Sequence, residues 1–273
     1  MVRRSRASKR SGRDKIYGLV LALIGILLIC ALGGGALWLR KTKVTLDADN
    51  CPLTGPSSVH LIMIDRSDPI TGQQAQRVRQ YIQKLKNEAS AGTRFDVYTF
   101  EGDIRNEMVP MIRVCAPGRP QDANELYENP DLIRKRYEER FSAVLDRTIE
   151  TLLKESTRQN SPIIESLRAA AITSFGPFTA GAITLHVTLV SDMVQHTGLI
   201  SHFKTEPNFG LLSRMPAWAS LQPNLKGADV VILYLLRPTA KRGPMTIQNR
   251  GHELFWEQLI GASGGRLESI EPI

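Results

Sequence analysis

The chain has 273 residues and a formal charge of +8, from 35 Lys and Arg against 27 Asp and Glu. Apolar residues make up 42% and charged residues 23%, proportions that exclude a wholly disordered, collagen-like or coiled-coil protein. Ten basic residues and one acid fall within residues 1–43, which leaves 25 basic and 26 acidic groups in the remainder. The basic charge therefore belongs to the amino-terminal tail, and we expect no nucleic-acid partner.

An uncharged apolar segment follows the basic tail. Residues 16–39 contain no Asp, Glu, Lys or Arg, and about 20 such residues are enough for a helix to cross a bilayer. Tyr17 and Trp38 lie near its two ends, where aromatic side chains favour the membrane interface. Seven basic residues precede the segment and three follow it closely, so the positive-inside rule predicts a cytoplasmic amino terminus.

These features predict a protein anchored in the inner (cell) membrane by a single-pass helix. Residues 1–15 would form a cytoplasmic tail, 40–57 a turn-rich linker, and 58–273 a domain in the periplasm or outside the cell. The alternative is a cleaved signal peptide with a small-residue site at Gly34-Gly35-Ala36. We favour a retained helix because the apolar part of a signal peptide usually has only about 7 to 15 residues.

Cys51 and Cys115 are the two cysteines outside the membrane segment. In an oxidising compartment we expect them to form a disulfide, which would stabilise the fold by about 4 kcal/mol in the chain-entropy model. In a reducing compartment they would remain two buried thiols. The sequence therefore predicts the disulfide on condition that the domain is exported to an oxidising compartment.

Strand and helix patterns alternate after the linker. Apolar runs predict strands at 59–64, 95–100, 108–114, 183–190, 229–236 and near 267–270. Helical spacing predicts helices at 72–91, from 130 to 153, from 162 to 171 and around 252–260. We interpret Asn129-Pro130 and Ser161-Pro162 each as a helix cap followed by a proline in the first turn. The pattern indicates a three-layer Rossmann-like α/β domain with a mainly parallel sheet.

Two of the predicted strands end in acidic residues, Asp65 after the first and Asp192 after the fourth. Ligands of open α/β sheets bind beyond the carboxyl ends of the strands, so we expect these carboxylates to converge. With Ser67 and the hydroxyl of Ser161 they would offer oxygen ligands to Mg²⁺ or Mn²⁺. The alternative is that these side chains cap helices and accept hydrogen bonds from loop amides.

This arrangement resembles the von Willebrand factor A-like (vWA) domains over roughly residues 58–271. The resemblance rests on the order of strands and helices and on the metal-ion-dependent adhesion site of that family. The family motif is typically Asp-x-Ser-x-Ser after the first strand, a Thr before the third helix and an Asp after the fourth strand. The resemblance implies a vWA-type six-stranded sheet with one antiparallel edge strand.

Three positions match the family motif directly: Asp65, Ser67 and Asp192. Pro69 replaces the second Ser of the motif and removes one ligand. Ser161 stands for the Thr, with Thr157 as a poorer match, and Asp68 is an additional ligand candidate. The resemblance therefore implies a degenerate form of the metal site.

Members of this family generally bind other proteins and are not enzymes, and in metal-dependent members an acidic side chain of the partner completes the coordination sphere. The resemblance thus implies a protein partner. The predicted contact surface follows Asp192 and carries His196, Phe203, Phe209 and Trp218, because aromatic side chains on loops are enriched in binding hot spots. The alternative is that Phe203 and Trp218 pack a short helix onto the domain.

Two further functions use the same elements. The first is a membrane-anchored metal-dependent hydrolase, which the sequence disfavours because no His, Lys or Glu stands at motif spacing near Asp65. The second is a metal-free structural subunit of an envelope assembly. We therefore predict a non-enzymatic interaction module and retain both alternatives.

Overall fold

The computed structural model describes residues 10–41, 45–100, 108–119, 121, 129–154, 160–237 and 247–273. For residues 10–15 and 36–41 it describes the backbone only, so the predicted interfacial position of the Trp38 side chain lies outside it. Thr157 and the first nine residues of the basic tail also lie outside the described residues. The chain divides into two compact units, Met1–Thr45 and Leu46–Ile273.

The amino-terminal unit contains one long helix, α1 (Arg10–Lys41). Its segment Ile16–Gly35 is long and apolar enough to cross a membrane, and none of that segment is buried inside the protein. Leu32, for example, is 74% exposed. In water these apolar side chains would remain exposed and would lack the stabilisation that burial gives. A bilayer provides an apolar environment whose thickness matches the length of this segment.

The second unit is built on a six-stranded sheet in the order β3-β2-β1-β4-β5-β6. Its strands are β1 (Ser58–Ile64), β2 (Thr93–Thr99), β3 (Ile112–Cys115), β4 (Thr184–Ser191), β5 (Asp229–Tyr234) and β6 (Arg266–Pro272). All neighbouring pairs are parallel except β2 and β3. The predicted mainly parallel sheet with one antiparallel edge strand is confirmed, and its strand order reverses between β1 and β4.

The predicted third strand was too long at its start. It was expected to begin at Met108, but β3 begins at Ile112. Pro110 has no N–H to give to the ladder, and pairing with β2 starts beyond it, where the Met111 N–H donates to the Val97 carbonyl at 2.7 Å. β3 is therefore a short edge strand.

The helices of this unit follow the predicted order. Within the described residues they are α2 (Gly72–Glu88), α3 (Pro130–Tyr137), a π-helical turn (Glu138–Ser142), α4 (Ala143–Leu152), α5 (Ile163–Phe175), α6 (Phe209–Leu212), α7 (Trp218–Leu221) and α8 (Arg250–Ala262). Asn129 caps α3 as expected, with its side chain accepting from two backbone N–H groups. The bounds of the short helices α6 and α7 were not predicted, because four residues carry too little periodicity, but the alternative that Trp218 belongs to a short helix packed on the domain agrees with α7.

The predicted cap of α5 was wrong. Pro162 occupies the cap position of this helix without a side-chain cap bond, and the helix begins at Ile163. The Ser161 hydroxyl donates instead to the Asp65 carboxylate, at 3.2 Å. Since the first N–H groups of a helix still need acceptors, Gln195 accepts from the Ile164 N–H at 3.1 Å. The Ser161 hydroxyl therefore binds Asp65 at the carboxyl edge of the sheet and does not cap α5.

Both faces of the sheet are covered, as alternation along β1 shows. Leu61 and Met63 belong to one apolar cluster, which also holds Leu167 of α5 and Trp256 of α8. Ile62 points to the opposite face, whose cluster includes side chains of α2 and α4. The central strand is buried on both sides, so its apolar side chains are removed from water. Their burial fixes the position of the strand between the two layers of helices.

Three of the described histidines are buried in this core. His60 stacks between Phe95 and His186, with ring centroids 5.6 and 5.2 Å apart, and its Nε2 is 3.0 Å from the Thr188 hydroxyl. Burial, followed by the nearby His186, lowers the pKa of His60 to about 3. In the opposite cluster, burial lowers the pKa of His202 to about 3 and that of His252 to about 4. All three rings are therefore neutral near pH 7.

The predicted disulfide between Cys51 and Cys115 is confirmed, with a Cα–Cα distance of 4.9 Å. It joins the segment before β1 to the last residue of β3. A short bridge between Leu46 and Pro52 and a hydrogen bond from the Cys115 N–H to the Asp49 carbonyl, 3.0 Å, lie beside it. Residues 46–57, which the sequence places in the linker, are thus tied to the second unit.

We predict that the protein becomes less stable as the pH falls from about 7 to about 5. In the unfolded chain each of these histidines would accept a proton near the ordinary histidine pKa of 6.5, whereas the folded chain keeps them neutral. The free energy of unfolding should therefore drop by roughly 1 to 2 kcal/mol per buried histidine over this range.

Urea unfolding of the full chain in detergent, followed by tryptophan fluorescence at several pH values, measures this slope. His60→Gln removes one of the three groups and should reduce the slope by about a third. A free energy of unfolding that does not change between pH 7 and pH 5 would contradict the neutral buried histidines.

We also predict that the double variant Cys51→Ser, Cys115→Ser is less stable than the wild type by about 4 kcal/mol, because the bond closes a long loop of the unfolded chain. Urea unfolding of the full chain under non-reducing conditions tests this. Cys30→Ser is the matched control, since Cys30 is an exposed free cysteine of α1 and should leave the stability of the second unit unchanged. Equal stability of the double variant and this control would be the contrary result.

Candidate functional site

The carboxyl ends of β1 and β4 lie side by side at one edge of the sheet. Ile64 is paired with Val190 in the parallel ladder, and the Asp65 N–H donates to the Val190 carbonyl at 2.8 Å. Asp65 and Asp192, which follow these two strands, therefore reach the same edge, as the sequence analysis expected. This edge also coincides with the reversal of strand order, the usual place for a binding site in an open α/β sheet.

Asp65 connects three segments of the chain through its carboxylate. Its Oδ1 accepts from the Ser67 N–H at 2.8 Å, and its Oδ2 accepts from the hydroxyls of Ser161, 3.2 Å, and Ser191, 2.8 Å. Asp65 is only 1% exposed, so these donors replace the water that a buried carboxylate loses. The loop after β1, the start of α5 and the end of β4 are thereby held together.

Asp192 is bonded in a different way, to an arginine. Its Oδ1 accepts from the Val194 N–H at 2.9 Å, and its Oδ2 lies 3.2 Å from Nε of Arg237. Arg237, whose side chain is only 9% exposed, also donates from Nη1 to the carbonyl of Pro69. One guanidinium thus links the segment after β4 to the loop after β1, at the position where the family motif has its second Ser.

Gln248 holds the same arginine through the backbone. Its Oε1 accepts from the Arg237 N–H at 2.8 Å, and its Nε2 donates to the carbonyls of Asp192, 3.2 Å, and Leu235, 2.9 Å. All described polar atoms of the Gln248 amide are therefore used to join the ends of β4 and β5. Arg237 is fixed both by its side-chain partners and by the position of its main chain.

The backbone turn after Asp192 is held by α8. Met193 has a φ of 58°, in the left-handed region that residues other than glycine rarely adopt. Its carbonyl accepts from Nε2 of His252 at 3.0 Å and from the indole N–H of Trp256 at 2.9 Å. Strained residues of this kind persist where the surroundings hold them, and they are frequent at functional sites.

Tyr234, at the end of β5, completes the buried surroundings of Asp192. Its hydroxyl is hydrogen-bonded to Nδ1 of His252. Burial raises the pKa of Tyr234 above its ordinary value, and the negative charge of Asp192 raises it further. The phenol therefore remains neutral and acts as a hydrogen-bonding group behind the acidic residue.

The predicted metal ligands meet at this edge but are already bonded within the chain. Mg²⁺ requires six oxygen ligands in a nearly octahedral arrangement. Both oxygens of Asp65 accept from donors of the chain, Ser67 contributes its N–H, and the Asp192 carboxylate faces a guanidinium. Within the described part of the chain, no group of three or more His, Cys, Asp and Glu is arranged to hold a metal ion. As arranged, these residues do not fit a divalent cation, whose binding stays a prediction.

Two of the predicted contact residues lie beside this edge. The backbones of His196 and Ser161 exchange two hydrogen bonds, at 2.9 and 3.0 Å, and Nδ1 of His196 is 2.9 Å from the Ser201 hydroxyl. Phe203 meets the His196 ring edge-on, with centroids 5.2 Å apart, and remains 49% exposed. An aromatic surface is therefore attached to the segment that donates to Asp65.

The other two predicted contact residues pack on the core. Phe209 and Trp218 begin the short helices α6 and α7, and their rings meet edge-on with centroids 5.4 Å apart. Both are half-buried and contact the apolar cluster that covers one face of the sheet. Their packing positions the loop that follows β4.

The signals for Ser191, Arg237 and Gln248 were not recognised in the sequence. Ser191 is the last residue of β4, directly before Asp192, and Arg237 follows the apolar run of the next strand. A basic residue beyond one strand and an acid beyond its neighbour are expected to meet at the carboxyl edge of a parallel sheet. The order of the strands was therefore sufficient to predict that Asp192 and Arg237 meet. Gln248 gives no comparable signal.

No family model matches the chain, and no curated protein matches it. A solved structure similar to it is that of an aerotolerance-related membrane protein from Bacteroides fragilis NCTC 9343 with multiple mutations to serines. The two chains are 13% identical with a TM-score of 0.38, and the match covers 78% of this chain and 90% of that chain. The vWA-like fold class of the second unit is supported by its own strand order and antiparallel edge strand.

Proposed function

We propose that the protein is a membrane-anchored vWA-like interaction module that presents the carboxyl edge of its sheet to a protein partner. The observation that carries this proposal is the exposed ring of Phe203, which packs edge-on against the partly buried His196 and is thereby tied to the network around Asp65. Exposed loop residues on a rigid scaffold are typical of binding surfaces. The proposed partner-binding surface is therefore already formed before the partner binds.

The anchor and its orientation follow from two parts of the chain. Helix α1 contains an apolar segment of suitable length, and the basic residues before it favour a cytoplasmic amino terminus. The disulfide between Cys51 and Cys115 fits an oxidising compartment. We accordingly propose a single-pass protein of the inner (cell) membrane with its domain in the periplasm or outside the cell.

The proposed contact surface consists of Leu199, Phe203 and His196. Leu199 is 52% and Phe203 49% exposed, and both belong to the loop that follows β4. An aromatic side chain such as Phe203 can contribute much of the binding energy when a partner buries it, and Leu199 adds exposed apolar area in the same loop. The net charge outside the tail is close to zero, which does not favour nucleic acid as the partner.

A non-enzymatic role agrees with the burial of the edge hydroxyls. Ser161 is 6% exposed and Ser191 is fully buried, and both donate to Asp65. A substrate would have no direct access to these groups, which argues against the hydrolase alternative. The metal-free structural subunit differs from our proposal only in needing no partner contact at Phe203.

We predict that a photoreactive benzoylphenylalanine at position 203 forms a light-dependent adduct with another protein in the native membrane. Leu132 of α3 is the matched control, because it is 46% exposed and therefore similarly accessible. The full chain is expressed with the probe at either position, and adducts are compared by gel shift and mass spectrometry.

Phe203→Asp should strongly reduce the adduct formed from a probe at Leu199, because removing an aromatic hot spot typically costs about 2 kcal/mol or more of binding energy. Adducts of equal yield at positions 132 and 203, or adducts from position 199 that persist in Phe203→Asp, would argue against this surface.

A further inference from the structure

We propose that a cavity at the amino end of the sheet binds a planar guanidinium group, carried either by a small molecule or by an arginine side chain of another polypeptide. The cavity has a volume of about 560 Å³ and is lined by α2, β6 and the face of the sheet between them. Its volume is within the range of small-molecule sites. The inference does not depend on the partner contact at Phe203, because the cavity is built from other residues.

The cavity lies at the end of the sheet opposite the carboxyl edge. It is lined by His60 of β1, Thr184 of β4 and Asp229 of β5, which are all near the starts of their strands. Five residues of extended chain, roughly 16 Å, separate His60 from Asp65. The cavity is therefore distinct from the candidate site at Asp65.

A row of three rings forms part of the cavity wall. Parallel pairing places Phe95, His60 and His186 at matching positions of β2, β1 and β4. The His60 ring is stacked on both neighbours, with interplanar angles of 1° and 21°. The next matching position, on β5, is Asp229, which has no ring. Among the described residues the row therefore ends at His186, and the outer face of this ring can stack with a planar ligand.

His60 brings a nitrogen without a hydrogen-bond partner to the same cavity. The residue is only 8% exposed, and its Nε2 lies 3.0 Å from the Thr188 hydroxyl. Its Nδ1 has no hydrogen-bond partner in the part of the chain that the structure describes. A neutral imidazole donates through one nitrogen and accepts through the other. With Nε2 donating to Thr188, Nδ1 of His60 is an acceptor for a ligand that has only N–H donors.

Carboxylates give the cavity a negative charge. Glu88 of α2, Asp229 of β5, and Glu268 and Glu271 of β6 all line it. Burial raises the pKa of Tyr81, another lining residue, and the negative charges of Glu271, Glu268 and Glu88 raise it further. Glutamates from both walls of the cavity therefore act on one phenol between them, as they would on a bound cation.

Two of these four carboxylates are not compensated by the chain. Arg266 pairs with Asp229 at 2.6 Å and lies 3.8 Å from Glu268. Glu88 and Glu271 have no ion-pair partner within the described ranges, and Glu271 accepts only from the Ser269 hydroxyl, at 3.3 Å. A cation in the cavity would meet one unpaired carboxylate on the α2 wall and one on the β6 wall.

Together these features favour a guanidinium over other cations. A guanidinium has five N–H donors and no acceptor, it keeps its charge, and its flat faces stack on rings. It can therefore stack on His186 while it donates to carboxylates and to Nδ1 of His60. A lysine-type ammonium has the charge but no flat face. A metal ion needs several converging ligands, and the described residues contain no group of three or more His, Cys, Asp and Glu arranged to hold one.

The test is a titration of the full chain in a non-ionic detergent with N-acetylarginine methylamide, at about pH 8, where an ordinary imidazole is neutral. Binding is followed by the nuclear magnetic resonance signals of carbon-13-labelled histidine rings, which substitution can assign because the chain has five histidines. We expect the His186 signal to shift with a dissociation constant of roughly a millimolar. The corresponding citrulline derivative, which is planar but uncharged, and the lysine derivative should bind at least about tenfold more weakly.

Charge variants locate the binding. Glu88→Gln and Glu271→Gln should each weaken it by about threefold to tenfold, because each removes a carboxylate from one wall. Glu257→Gln is the matched control, since the Glu257 side chain is 52% exposed on α8, on the opposite face of the sheet. Lys84, which lines the cavity, has no ion-pair partner among the described residues. Lys84→Gln should therefore strengthen binding severalfold.

Ring variants test the stacking. His186→Ala should weaken binding by about tenfold, whereas His186→Phe should retain it, because phenylalanine also offers a ring face to a cation. Binding in these two variants is followed by the His60 signal. Folding is checked by the intact disulfide and by a cooperative unfolding transition. Equal loss in the two folded variants would overturn the stacking contact.

Two further probes distinguish the sources of the guanidinium. Agmatine represents a free small molecule, and a five-residue peptide of glycine and serine around one arginine represents a polypeptide. Tighter binding of agmatine would identify a small-molecule site and tighter binding of the peptide a polypeptide site, and both support the inference. An arginine derivative that binds no better than the citrulline derivative, or that binds Glu88→Gln and Glu271→Gln as it binds the wild type, would overturn it. None of these results affects the crosslinking test at position 203.

Discussion

The contact of the Arg237 guanidinium with Asp192 and Pro69 determines how the carboxyl edge of this domain is assembled. The guanidinium joins the segment after β4 to the loop after β1, and Gln248 joins the same region to the end of β5. Pairing in the sheet already brings these strand ends together, but it does not fix the loops beyond them. The arginine supplies that connection and at the same time neutralises a buried acid.

The edge contains two buried carboxylates that are stabilised by different groups. Asp65 accepts from two hydroxyls and one amide N–H, whereas the partners of Asp192 include the Val194 N–H and the Arg237 guanidinium. The domain uses arginines in the same way elsewhere, since the fully buried Asp96 is paired with Arg94 and Arg113. At Asp192 the Arg237 guanidinium offsets the charge of the acid, whereas at Asp65 neutral donors replace the lost water.

Much of the fold was predictable, because apolar periodicity reports directly which face of a strand or helix is buried. Asp65 and Asp192 were placed at one edge because the carboxyl ends of parallel neighbours must lie together. The partners of Asp192 were not found, since Arg237 lies 45 residues and Gln248 56 residues away in sequence. The Ser161 side chain was assigned to a local cap, but its hydroxyl had a stronger acceptor across the fold in Asp65.

The central claim is that Asp192 and Arg237 stabilise each other as a buried pair, and a double-mutant cycle measures this directly. Asp192→Asn, Arg237→Gln and the combination are compared with the wild type by urea unfolding of the full chain in detergent. We expect each single change to destabilise the fold by about 3 kcal/mol and the two to be coupled by about 2 kcal/mol, so that the double variant loses less than the sum. Strictly additive losses would show that the two side chains act independently and would contradict the account.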